Sequence, residues 1–276
     1  MRLRVVLFAA LVGVCGLWPA QARAQKVAAA EDVEASYIVD LAGINLGGFA
    51  LSARLDGMAY EIKAKGEFSL LAGMLYRATG HTESKGQLAK EGPRPARFSV
   101  KFDNGSKKES RELLFARGTV TKVSLVPRKN KVGKRQVPVT KDQLENVLDP
   151  LTAAFVYAPP DGSEQRVCDR TVPVFDGKQR FDIVLKPKRT ETLGSDAPAN
   201  LPDRAAVCQV RYVPIGGYRP DHPGVKYVMT NEDIEVWLVR LPRTALYLPY
   251  RIVMPTAWGT GTATLTEVST SAGSSR

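Results

Sequence analysis

Ser36–Phe68 reads SYIVDLAGINLGGFALSARLDGMAYEIKAKGEF. Phe49, Leu51, Ala53 and Leu55 alternate with other residues, which places them on one face of a strand. Asp56-Gly57 interrupts the pattern, and Tyr60, Ile62 and Ala64 resume it. Period-two alternation on both sides of an Asp-Gly pair is the signature of a β-hairpin. The same pattern recurs downstream. Arg97–Pro127 carries Asn104-Gly105 and Arg117-Gly118 between three strand-like runs. Asp176-Gly177 turns Val172–Phe175 back into Phe181, Ile183 and Leu185.

The remaining segments fit around these hairpins. Residues 69–75 read as one helical turn or a bend, and 76–90 as an exposed polar strand. Residues 206–215 and three terminal runs, 233–242, 246–255 and 259–268, read as further strands, with 187–205 and 216–224 as polar connections. One segment has helical spacing: in residues 140–158, Leu144, Val147, Leu148, Leu151 and Phe155 recur every three or four positions. Thr140 suits its N-cap, and Pro150 should bend or split it. The fold class that follows is all-β: an antiparallel meander forming an open barrel or β-spiral, with one short central helix plugging the open side.

The N-terminus reads as an export signal. Arg2 and Arg4 precede an apolar run, Val5–Leu17, and small residues at Ala22 and Ala24 offer a cleavage site after residue 24. Residues 25–34 then form a flexible lead-in, 35–268 a single β domain and 269–276 a polar tail. No later run reaches the roughly 20 apolar residues of a spanning helix. Loss of three arginines and no acid takes the net charge from +11 to +8. A basic exported chain suits anionic envelope lipid, glycan or an envelope protein as partner, and not nucleic acid. Cys15 leaves with the signal, so Cys168 and Cys208 remain as a pair, read as a disulfide in the oxidising periplasm.

Few residues suggest catalysis or a cofactor. His81 and His222 stand apart from any nucleophile motif, and Asp221-His222 has no further metal ligand beside it in sequence. Asp176 and Asp182 could form a carboxylate pair, but an Asp in an Asp-Gly turn commonly bonds its own backbone. The glycines of GINLGG precede no helix and suit close strand packing rather than phosphate. Two candidate binding features remain. Arg128, Lys129, Lys131, Lys134 and Arg135 form a basic loop suited to an anionic surface. Trp237, Tyr247 and Tyr250 could line a ligand groove, although residues three apart on a strand point to opposite faces.

Several short motifs resemble a family. They are the Tyr37–Gly47 run, ESKGQL at Glu83–Leu88, LDPLTAAF at Leu148–Phe155, VFDGKQRFDI at Val174–Ile183, and VWLVR with LPYRI in the terminal strands. Together they resemble the DUF3108 family of exported bacterial proteins of unknown function. The chain is also similar in outline to alphaproteobacterial periplasmic β-spiral envelope-integrity proteins, and to open-barrel lipoprotein and lipid carriers. The resemblance implies a periplasmic home, a spiral or open-barrel shape and an envelope role, and it brings no catalytic residues. The expectation is therefore a non-enzymatic protein without metal or cofactor that binds a lipid, glycan or protein partner; the alternatives are a carrier of the open-barrel type and an envelope hydrolase.

Overall fold

Alternation along the chain and glycine at the reversals are realised as strands and hairpins. The computed structural model describes residues 30–70, 76–89, 92–128, 135–157, 164–242, 244 and 246–272. The expected signal segment lies outside them, as do residues 71–75. The first half contributes β1 (Glu31–Leu41), β2 (Ile44–Asp56), β3 (Ala59–Leu70), β4 (Tyr76–Ala89), β5 (Gly92–Asp103), β6 (Lys108–Ala116) and β7 (Thr119–Val126). The second contributes β8 (Val156–Tyr157), β9 (Arg170–Phe175), β10 (Arg180–Thr192), β11 (Arg204–Gly216), β12 (Glu235–Arg240), β13 (Leu246–Thr256) and β14 (Gly259–Ala272). These form one open antiparallel sheet, ordered β7-β6-β5-β4-β3-β2-β1-β14-β13-β12-β11-β10-β9, with β8 added beside β13.

The hairpins stand where the dipeptides placed them. Arg117 and Gly118 have φ of 51° and 81°, as a turn left-handed at both central residues requires. At Gly48 a Cβ would lie 2.2 Å from the Tyr37 carbonyl oxygen, so GINLGG serves close strand packing. The sheet's midpoint was not legible in advance. β1 pairs with β14 from Glu31↔Ala272 to Leu41↔Gly261. Part of the expected lead-in (Glu31–Glu34) and of the expected tail (Ser269–Ala272) is thus paired strand. Similarly, β10 runs on to Thr192, so the polar connection before β11 is shorter than its composition suggested.

Val33, Tyr37, Leu51, Ile62, Phe98, Leu113, Leu248 and Leu265 belong to one buried cluster. Tyr37 stacks on Phe49 with ring centroids 4.5 Å apart and donates its hydroxyl to the Pro249 carbonyl at 2.8 Å. A second, smaller cluster contains Val167, Leu185, Leu238, Tyr247 and both cysteines. Cys168 and Cys208 are bonded, with S–S 2.04 Å and Cα–Cα 5.2 Å, as their pairing predicted.

The helix expected over 140–158 does not form. Residues Asp142–Leu144 make one 3-10 turn, and α1 spans only Pro150–Ala153. Glu145 is extended, and Asn146 is left-handed with φ 52°. The cause is local. A residue before proline is driven out of the helical region, so Asp149 is extended and caps α1 from its own side chain, with Pro150 in the first turn. Thr140 caps nothing: its N–H donates to Gln143 Oε1. The helically spaced Val147, Leu151 and Phe155 are buried all the same, because an extended strap can also point apolar residues inward. Two further short helices were not anticipated: α2 (Glu164–Val167), and α3 (Pro223–Thr230), which starts inside the expected loop.

This strap substitutes for the plug helix. Glu145 bridges to Thr119 on edge strand β7, and Leu148 bridges to Val174 on edge strand β9. Leu148 N–H donates to the Pro173 carbonyl at 2.8 Å, and Phe175 N–H to the Leu148 carbonyl at 2.9 Å. The short stretch from Glu145 to Leu148 thereby links the two edges, whose unpaired groups would otherwise be exposed.

Candidate functional site

The strap is pinned by a buried polar cluster. On β4 the small residues alternate inward, so Ser84 is fully buried; the expectation of an exposed strand holds for its other face. Asp149, also fully buried, accepts the backbone N–H groups of Leu151 and Thr152 on Oδ1, both at 3.0 Å. Its Oδ2 accepts Thr152 Oγ1 at 2.7 Å and Ser84 Oγ at 2.8 Å. Ser84 and Thr152 hydroxyls lie 2.9 Å apart, and Tyr60 reaches Thr152 at 3.1 Å. Gly86 makes room for Tyr60: a Cβ there would lie 2.6 Å from its hydroxyl. ESKGQL and LDPLTAAF, far apart in sequence, therefore meet here.

Proton counting explains the electrostatics of this cluster. Four side-chain contacts link Tyr60, Ser84, Thr152 and Asp149, but the three hydroxyls supply only three protons. Asp149 is the one carboxyl among them. Burial pushes its carboxyl above the usual range, against the hydrogen bonds that pull it down. These hydrogen bonds make the cluster a latch that joins the strap to β3 and β4.

Beside the latch, the lip of the sheet opens into an apolar mouth of about 580 Å³. Phe98, Val100 and Phe102 of β5 line it from one side, Pro150 and Leu151 of the strap from the other. Arg111, Glu109 and Asp176 supply polar groups. Arg111 pairs with Asp176 at 2.8 Å and Lys178 with Glu109 at 2.7 Å, joining β6 to the β9–β10 turn across the open side. A second apolar crevice, among Ile62, Phe155 and Leu246, encloses only about 20 Å³, about one water.

The other face of β3–β7 carries a polar trough of about 870 Å³. Along it, one cross-strand row reads Lys65, His81, Lys101, Ser110, Val126. A smaller hollow, about 280 Å³, continues over His81, Lys101, Phe102 and Glu109. Phe102 and Glu109 also line the apolar mouth, so trough and mouth share one end of the sheet.

The residues singled out from sequence are dispersed. Trp237 is half-buried between the Arg189 and Arg251 guanidinium groups, 5.6 and 5.9 Å from its ring centre, and donates to Glu235 at 3.0 Å. Arg189, then Lys188, holds Glu235 down at about 2. Tyr250 packs with the main cluster and Tyr247 with the second, both buried. Trp237 lies against Tyr250, ring centroids 6.4 Å apart, while Tyr247 sits in the other cluster, because the three-residue spacing sends the two tyrosines to different faces. Of the basic loop, Lys129, Lys131 and Lys134 lie outside the described residues. Arg128 is exposed, and Arg135 pairs with Asp221 at 3.0 Å. Asp176 Oδ1 accepts the N–H groups of Lys178 and Gln179, the turn role its position suggested. Asp182 pairs with Arg180 at 2.6 Å. His81 and His222 are exposed. Among the described residues no three His, Cys, Asp or Glu side chains converge as metal ligands, and no helix is long and apolar enough to cross a membrane. The mouth, the trough and the latch were missed by sequence reasoning. Their one signal was the pair of short motifs that meet at the latch.

Comparison with known proteins agrees in outline. No curated protein matches the chain. A solved beta-barrel-like protein of domain of unknown function DUF1849 from Brucella abortus is similar to it, with 9% identity over 87% of this chain and 98% of that one, at a TM-score of 0.45. The model of DUF3108, a protein family of unknown function, matches residues 36–266. That match spans every strand from β2 to β13, the latch, the strap and the mouth, and by it the chain belongs to the DUF3108 family.

Proposed function

We propose that this chain is a non-enzymatic periplasmic protein that supports the cell envelope by binding a lipid, with an acyl chain in the apolar mouth. One observation carries the reading: the inner side of the sheet opens into about 580 Å³ lined by Phe98, Val100, Phe102 and Leu151. That volume lies within the roughly 300–1,000 Å³ of small-molecule sites. Arg111 and Lys178 stand at or beside its rim, where a charged head would sit. Export is supported by the Cys168–Cys208 bond, since disulfides persist in oxidising compartments. The absence of enzymatic chemistry is supported by the dispersal of His81, His222, Asp176 and Asp182.

Native mass spectrometry of the chain purified from its own periplasm tests this. The expected spectrum contains a species heavier by one lipid, absent from a Val100→Trp variant whose side chain fills the mouth. A spectrum with no added mass, or with the same mass on both proteins, would overturn the reading.

A further inference from the structure

The charges of the trough balance except along one row. Above it, Glu67 pairs with Arg77 at 2.6 Å and Asp103 with Lys108 at 3.1 Å. Below it, Glu61 pairs with Lys63 at 2.6 Å, Glu83 with Lys85 at 3.0 Å, and Glu112 with Arg97 at 2.6 Å. Lys65 and Lys101 have no acidic partner among the described residues, and they face each other across His81, their neighbour on both sides. Like charges opposite one another in a sheet are unfavourable. Two strand spacings separate the lysines, roughly 10 Å, so both ammonium groups can reach one anion above the imidazole. Ser110 adds a hydroxyl beside Lys101.

Apolar side chains border the same row. Val126 ends it at 63% exposure, and Phe102, exposed on the opposite face of β5, lines the hollow at the same end. Cations beside exposed apolar groups fit an interface where phosphate lies next to hydrocarbon, rather than a soluble anion surrounded by water. The shared end of trough and mouth gives the arrangement its use: a membrane held at this row meets the mouth's rim.

We propose that Lys65, His81 and Lys101 form a phosphate site that docks the chain on the head groups of an anionic lipid surface, beside the mouth. The inference rests on the lipid-binding reading and adds the surface from which the lipid is reached. Flotation of the full chain with vesicles tests it, using phosphatidylcholine alone, equimolar phosphatidylcholine and phosphatidylglycerol, and equimolar phosphatidylcholine and phosphatidic acid. Wild type should float with the anionic vesicles only. Lys65→Gln/Lys101→Gln should weaken that binding roughly 30-fold, while Lys186→Gln/Lys226→Gln, with the same change in net charge on β10 and α3, should bind as wild type. Equal losses in the two double variants would show a diffuse charge effect and overturn the site. So would no loss in the first, or release of wild type from vesicles by millimolar inorganic phosphate with the same affinity in solution. The lipid mass in native spectra should persist in Lys65→Gln/Lys101→Gln. If that mass is seen and the flotation result fails, the docking site falls and the lipid-binding reading stands; if the mass is never seen, the reading falls first.

Discussion

Asp149 shows how much a single residue decides. It caps α1, anchors two hydroxyls from other positions and sits before a proline that excludes the helical region. Asp149→Ala would leave buried donors without an acceptor, and urea unfolding should record a loss of about 3 kcal/mol or more. Asp149→Asn keeps an acceptor for the backbone and a donor for the hydroxyls, so its loss should be about 1 kcal/mol. The pH dependence has a definite sign. Burial raises the folded carboxyl above the 3.8 of free aspartate, so the folded chain retains a proton that the unfolded chain has released. The stabilisation tied to that proton is fully present below about 3.8 and is lost as pH rises through the folded value. Unfolding curves at stepped pH should show wild type losing stability relative to Asp149→Asn across that window. Parallel pH curves would mean the proton is not held.

At the scale of elements, the strands were legible and the strap was not. Alternation and Gly-containing turns dictate hairpins directly, because each concerns neighbours in sequence. The strap carries a helical spacing of apolar residues, yet it is set by Pro150 and by edges that β7 and β9 leave open at Thr119 and Val174, well outside the strap along the chain on either side. The trough and mouth were illegible for a similar reason: Lys65, His81 and Lys101 look like ordinary solvent-facing positions until three strands stand side by side. The cysteine pair was legible because only two cysteines lie beyond the expected export signal. Its bond closes a separation of 40 residues, and the chain-entropy argument gives about 4 kcal/mol for such a loop. Cys168→Ala/Cys208→Ala should lose about that much in urea unfolding. Reduction of wild type should lower stability by a similar amount, and a loss below about 1 kcal/mol would show that the second cluster holds without its staple.

The whole molecule is organised around the meeting of its ends. Because β1 and β14 pair in the middle of the sheet, the two halves, β1–β7 and β8–β14, are joined by those strands and by the strap. Removing β14 by ending the chain at Thr256 should therefore abolish cooperative unfolding, and circular dichroism should show a broad transition or aggregation; a sharp transition near that of wild type would mean that the halves fold independently. The mouth faces inward, with the basic row outside at the same end of the sheet. The account's central claim is that an acyl chain enters that mouth. A lipid with a photoactivatable diazirine on its acyl chain tests this most directly, followed by peptide mapping of the cross-links. The claim predicts adducts on Phe98–Phe102 and Pro150–Leu151. Adducts confined to the crevice at Ile62, Phe155 and Leu246, or spread over the outer strands, would contradict it.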